Sequence, residues 1–557
     1  VQASIDGTGG DESGDVIATG GGTIDVLASD LSTIRANLAA VSVGAAVGGN
    51  NAAAVSLGVS VALNEVDNDV AAFIEDAPTV SGGAINVKAE DLEDTSLFSA
   101  DYDDTEASPV NLEVGDRVRD TSTGDVYVFL GESYRFTDAH GVVDVDDDPD
   151  DDDSEDEEDD DLLRQGDIVR VGDKFYEYTG ANNGATGIDL SDPTTYTSGL
   201  WTEKSQSLGS EDFDDEDRWN RLATIDAQAV AVSVAAAVSG KTAVGVSGAG
   251  AGANNRVRTN TNAYVERSDV ISTSDVTLDA KNTSSIDAAI VAASAGLAGG
   301  SKAGVGASVG AAVAFNEISG DGTDGAAQVR AFTRDSSVNA TGDFTLDAAS
   351  EQTINAIVVA GSAAISLSSG NSLGLSGAGV SVNNLIKTDV HAFIEGDDNS
   401  DSDSDTGISA NAIDIDASDD STIDAVAVGA SLAAAFSGSN AGALSIGVSL
   451  ATNEIENDVA AYILDADSVA ATGSSSSSNT QAALPGDIDV TADVSATISA
   501  ASVAASAAIA VASSSAIALS GAGANATNVI LTDANAHVTN STGDPGPDVD
   551  LAAINVS

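Results

Sequence analysis

A Thr/Ser-Ile step recurs six times along this chain, and the recurrence limits the fold more than any other feature. It stands at Thr33-Ile34, Thr224-Ile225, Ser285-Ile286, Thr353-Ile354, Thr422-Ile423 and Thr497-Ile498. From the second unit onward the isoleucines are 61, 68, 69 and 75 residues apart, and the first gap of 191 holds one unit plus a large insertion. About thirty residues after each step comes an asparagine: Asn64, Asn255, Asn316, Asn384, Asn453 and Asn528. Nine residues further on, five of the six units carry Phe73, Tyr264, Phe393, Tyr462 or His537. The third unit reaches its equivalent, Phe332, after the short insertion Gly320–Gly325. Periodicity of this kind marks a repeat array rather than a set of globular domains. The units also alternate in type. Before the asparagine, the odd units read GVSVALNE, VGAAVAFNE and GVSLATNE, and the even units SGAGAGANN, SGAGVSVNN and SGAGANATN, so a pair of units is a second candidate period.

Charge is segregated within each unit. The chain carries 89 Asp and Glu against 20 Lys and Arg, a formal net charge of −69, yet 36–64, 356–386, 425–453 and 494–532 hold no charged residue. Uncharged runs of this length would suggest a membrane span. Here Ala, Ser and Gly dominate, and turn formers such as Gly48-Gly49-Asn50 and Ser437-Gly438-Ser439-Asn440 interrupt them, so no transmembrane helix is expected. Each run reads as two strands joined by a tight turn. Val alternates with small residues over 229–238 and 243–252, and internal Gly opposes a helix. Both alternating sets are apolar or small there, which predicts strands covered on both faces. Ile413-Asp414-Ile415-Asp416 and Val276-Thr277-Leu278-Asp279 alternate apolar and polar, as half-solvated strands do.

Together these features predict an all-β, β-helix-like solenoid: six stacked units of about 61–75 residues with one small inserted β domain. Units this long are expected to supply two or more rungs each. The corresponding division is 1–96 solenoid, 97–222 insertion and 223–557 solenoid. The repeated asparagines are expected to stack into a hydrogen-bonded ladder.

The pattern GAGxxxNN, then seven residues, then Ala, an aromatic and Ile or Val, runs through Gly248–Val265 and Gly377–Ile394. It resembles the leukotoxin-type filamentous adhesins, giant repetitive exported proteins of Gram-negative bacteria and their relatives. The resemblance covers most of the chain outside the insertion. It implies a β-solenoid surface or extracellular fibre and brings no catalytic residues with it. The extreme acidity and the large first insertion depart from that family.

The insertion holds 13 of the 21 aromatics, including Trp201 and Trp219. Val114–Gly131 and Val171–Gly180 each read as a Gly-Asp turn followed by aromatic strands. Between them, 144–161 carries 15 acidic residues in 18 and is expected to be a solvated, disordered loop. Tyr196 and Trp201 are the candidates for a sugar- or partner-binding face; the competing reading places such aromatics in the core.

Composition excludes much chemistry. With no cysteine there is no disulfide scaffold, thiolate metal site or cysteine nucleophile. Scarce and scattered Lys and Arg exclude nucleic-acid binding. The three histidines, His140, His391 and His537, lie in unrelated contexts, and no carboxylate pair stands out from so many; no enzymatic activity is expected. Calcium is the candidate cation, because it takes several carboxylate and carbonyl oxygens. Its candidate ligands are Asp397, Asp401, Asp403 and Asp405 in one aspartate-rich loop, with Asp67 and Asp69, and Glu454 and Asp458, in compact acidic turns. No EF-hand terminal Glu and no glycine-rich nonapeptide accompanies them. Charge that keeps Ala/Val-rich stacks soluble is the competing account.

These readings converge on a segment of an exported, extracellular or surface fibre that self-associates and serves adhesion, matrix formation or cell contact. Val1 falls late in a unit and no signal peptide or initiator Met is present, so the chain reads as a processed or excerpted piece. The alternative is a glycan- or receptor-binding module at 97–222 displayed on a stalk.

Overall fold

The computed structural model describes residues 1–7, 15–91, 224–320, 325–396, 407–466, 469–473, 486–539 and 549–556, with short stretches between 102 and 221. It has two compact units, Val1–Glu93 with Ala223–Ser557, and Asp94–Leu222. The first is an all-β parallel solenoid.

Each repeat makes one complete circuit. An opening strand, Ile225–Ser239, turns at Gly240-Lys241 into a 25-residue return strand, Thr242–Glu266. A short third strand, Asp269–Ser272, follows, and then Val276–Asn282, which lies in the opening sheet and leads into the next opening strand, Ser285–Gly300. The isoleucines at 34, 225, 286, 354, 423 and 498 stand in one column of parallel, in-register partners. The sequence period is therefore one rung, not the two or more that unit length suggested. Strands of up to 25 residues take up the extra length.

The two long strands of a circuit are not a hairpin. Each pairs in parallel with its counterparts in the rungs before and after, so the two-residue turn links separate sheets as an arch. Inward positions alternate with outward ones throughout, as the two-residue period of a strand requires. In the interior, side chains grow with distance from the arch. Alanines fill the tip: Ala52, Ala54, Ala235, Ala237, Ala243 and Ala298 at one end of the stack, and Ala433, Ala435, Ala441 and Ala443 further along. Ile, Val, Leu and Phe fill the far end, as with Ile85, Leu278, Phe344 and Ile415. Among the described residues of the solenoid, nothing covers the outward faces. Val309 is 58% exposed, Ile446 48% and Leu450 44%, all on rungs with neighbours on both sides. The expectation that both faces would be covered fails here: both long sheets pack inward on each other, so one layer covers one face only.

Where a return strand meets the third side, the chain bends through the left-handed region. Asp76, Arg267, Asp335 and Asp465 (φ 44–52°) and Gly396 (φ 70°) occupy this corner in five successive rungs. Asp is among the side chains that tolerate this conformation best, and Gly carries no Cβ penalty. In the third unit the return strand resumes its pairing on either side of the insertion. Ile318 pairs with Ile386 and Ala327 with Thr388, and Gly320 N–H donates to the Gly325 carbonyl at 3.0 Å.

Of the inserted unit, one four-stranded sheet joins Tyr102–Asp103, Arg117–Arg119, Val126–Phe129 and Trp219–Arg221, and another Phe136–Thr137, Ile168–Val171, Lys174–Tyr178 and Trp201–Glu203. The acidic run 144–161 lies outside the described residues.

Candidate functional site

Because every rung is in register, a residue type repeated at one sequence position becomes a column. Asn64, Asn255, Asn316, Asn384, Asn453 and Asn528 form such a column inside the return sheet. Each side-chain amide donates to the next asparagine's carbonyl oxygen, five bonds of 2.7–2.8 Å. Asn255, Asn384 and Asn453 are fully buried. A buried amide without a partner costs about 1–3 kcal/mol, so the chain of bonds makes the position tolerable and locks the register.

Nine residues on, the rings stack. Phe73, Tyr264, Phe332, Phe393 and Tyr462 lie parallel at 4.7–4.9 Å, and His537 continues the stack at 5.2 Å from Tyr462. The Arg334 guanidinium lies over Phe332 and Phe393, 5.2 and 5.8 Å from the centroids. Burial, then nearby Glu75 and Glu266, pushes the Tyr264 phenol up to about 12.

A third column escaped sequence reasoning. Across the arch, serines of the opening strand meet serines of the return strand: Ser233 with Ser247 at 3.0 Å, and Ser294 with Ser308, Ser362 with Ser376 and Ser431 with Ser445, each at 2.6 Å. Hydroxyls can touch only if the two sheets lie closer than the usual separation of about 10 Å. The signal was present as a Ser eight and twenty-two residues after every repeat isoleucine, hidden by the abundance of Ser in these segments.

A polar seam lies where the Val276-type segment joins the opening strand. Asp419 is 3% exposed; it accepts a hydrogen bond from Ser421 at 3.0 Å and another from the Asn457 amide. Burial pushes its carboxyl up to about 7 against those stabilising bonds. Asp91 stands in the same column. It accepts from Asn68 at 3.1 Å and from Thr259, and burial raises it to about 6. Between them the column holds Asn282 and Ser350.

The outward charged positions form rows of ion pairs between successive rungs. Arg256 meets Glu317 at 2.9 Å, Arg334 meets Glu395 at 2.9 Å, and Lys387 meets Glu456 at 3.1 Å. Where basic residues run out, acids face acids. Asp279, Asp347 and Asp416 are in register, and burial followed by neighbouring carboxylates pushes Asp347 and Asp416 up to about 6. Asp458 goes the other way: the neighbouring His391 imidazole, its Nε2 3.9 Å from the carboxylate, holds that carboxyl below the usual range.

Among the described residues, the candidate calcium ligands are not brought together. Asp67 bonds Arg258 at 3.1 Å, which places a guanidinium at its carboxylate. Asp69 stands two residues along the same strand, and Glu454 and Asp458 belong to a return strand several rungs away. Asp397, Asp401, Asp403 and Asp405 lie outside the described residues. Among the described residues, no three His, Asp or Glu side chains converge as a cation site.

Tyr196 and Trp201 are core, not a ligand platform. Each is 8% exposed and packs with Val169, Tyr178 and Leu190. Their rings lie 5.0 Å apart, and the Tyr196 hydroxyl donates to the Leu190 carbonyl at 2.9 Å. A small domain without disulfides needs its large side chains for its own interior.

No family model matches this chain, and no curated protein or solved structure matches it. Among the described residues, no helix is long and apolar enough to cross a membrane.

Proposed function

We propose that this chain is a structural segment of an exported extracellular or surface fibre, serving adhesion, matrix formation or contact between cells. The observation that carries the reading is the asparagine column, unbroken through all six rungs. A stack in which each rung bonds only to its neighbours is modular: rungs can be added without altering the interior. The side chains invested in the interior lock register, and the ion pairs tie rung to rung. The resemblance of Gly248–Val265 and Gly377–Ile394 to filamentous adhesins points the same way.

Electron microscopy of the native assembly tests this reading. It expects elongated, cross-β-type particles; compact particles with no extended form overturn it. Cells expressing the chain without 94–222 locate the contact. Retained adhesion assigns it to the shaft, and lost adhesion with intact fibres assigns it to the inserted unit.

A further inference from the structure

The outward face of the return sheet is corrugated, and the corrugation accounts for the alternation of repeat types. Along one column of in-register partners stand Leu57, Gly248, Val309, Gly377, Ile446 and Gly521. At this column odd rungs raise a ridge and even rungs leave a furrow; four residues nearer the arch the sense reverses, with Val244, Leu373 and Ile517 on even rungs and Gly442 on an odd one. With rungs about 4.8 Å apart, ridges recur about every 10 Å. The ridges are open to solvent even in mid-stack, with Val309 58% and Ile446 48% exposed.

Most furrow glycines are not required by the chain's own packing; Gly248 is the exception, where a Cβ would lie 2.9 Å from the end of the Leu57 side chain. A Cβ built on Gly250, Gly377, Gly379, Gly521 or Gly523 would meet no atom within 4 Å, and none has a left-handed φ. Gly in a strand costs about 0.5–1 kcal/mol relative to Ala and often marks close approach by another surface. The glycines Gly44, Gly245 and Gly296 make the contrast: there a Cβ would lie 2.2–2.7 Å from a backbone oxygen.

We infer that this face pairs with the same face of a second copy, each ridge seated over the partner's glycine furrow. Three features select a second copy as the occupant. The surface is self-complementary, because ridges and furrows share one period and a shift of one rung interdigitates them. It is uncharged: 51–63, 242–254, 303–315, 371–383, 440–452 and 515–527 contain no Asp, Glu, Lys or Arg in a chain of net charge −69. Two such polyanions can meet closely only where neither carries charge. It is also large enough. Thirteen residues at about 3.3 Å by six rungs at about 4.8 Å give about 1,200 Å² per copy, against about 800 Å² for a standard stable interface. The inference deepens the fibre reading by naming partner and face, and it can fail while fibres still form by axial stacking.

The test is sedimentation equilibrium of the whole chain at high salt, where the Debye length falls to about 3 Å. Twice the 55.0 kDa monomer is expected. The variant Gly377→Val/Gly379→Val fills the furrow with side chains the monomer accommodates. Its melting temperature should be unchanged or higher, while its dimer dissociation constant rises at least tenfold. Ala295→Glu, outward on the opposite long sheet, should pair as the parent does. A parent that remains monomeric overturns the inference, whatever glycan or lipid it binds. So does undiminished pairing by the Gly variant, or equal loss in both variants. Filaments seen by microscopy with no pairing would leave the fibre reading standing and remove this one.

Discussion

Replacing Asp419 by Asn should stabilise the solenoid in proportion to pH. The Asp419 carboxyl is buried and raised from 3.8 to about 7 in the folded state. The folded protein therefore holds this proton more tightly than the unfolded chain. Stability from this group is greatest below the unfolded pKa and is lost as pH rises through 7. Linkage gives a cost for the ionised carboxylate of about 4 kcal/mol at pH 8, about 2 kcal/mol at pH 5.5 and under about 1 kcal/mol at pH 4. Asn removes the charge and can remain bonded. The Asn457 side-chain oxygen is buried without a partner, so it can accept from the new amide, and the chain already places Asn282 in this column. Repeat arrays open locally, so the assay is native-state hydrogen exchange of amides in Ile413–Ser437 at the three pH values. The protection gained should shrink steadily as pH falls. A variant that is destabilised at pH 8, or whose gain is the same at pH 4, would refute the assigned cause.

Four further outcomes follow from the columns. Asn384→Leu strands the Asn316 amide and the Asn453 carbonyl and should cost about 3 kcal/mol, read as a lower urea midpoint; an unchanged midpoint removes the ladder's structural role. Phe393→Ala takes a 3%-exposed ring from between Phe332 and Tyr462 and should cost about 3–4 kcal/mol by the same assay. Asp347, Asp414 and Asp416 are all pushed up to about 6, so the melting temperature should be higher at pH 5 than at pH 8; the opposite slope counts against the acid column. Melting temperatures with calcium and with chelator at equal ionic strength should be equal, and a rise of several degrees with calcium would refute this and show specific binding.

The repeat period was legible because a column in a parallel stack must repeat its residue at one sequence position. Asn64 and Phe73 announce themselves for that reason. Rung count was not legible, since Val276–Asn282 completes one repeat yet runs in the same sheet as the next opening strand. Nor was the arch: a two-residue turn between apolar strands has the sequence of a hairpin, and only inter-rung pairing distinguishes the two. Asp419 gives no local signal, because its partner Asn457 lies 38 residues away on the opposite sheet. For Tyr196 and Trp201 the sequence left core and ligand face both open, because aromatic content does not reveal which way a ring points.

One circuit advances the stack by a single inter-strand step, about 4.8 Å, and uses 61 to 75 residues to do so. That is about 13–16 residues for each ångström of axial growth, whereas an α-helix gains about 1.5 Å per residue. As a tether the architecture is inefficient. What each added rung contributes is breadth, a strip about 80 Å wide on either long side. A molecule that grows this way is suited to being a wall rather than a rope.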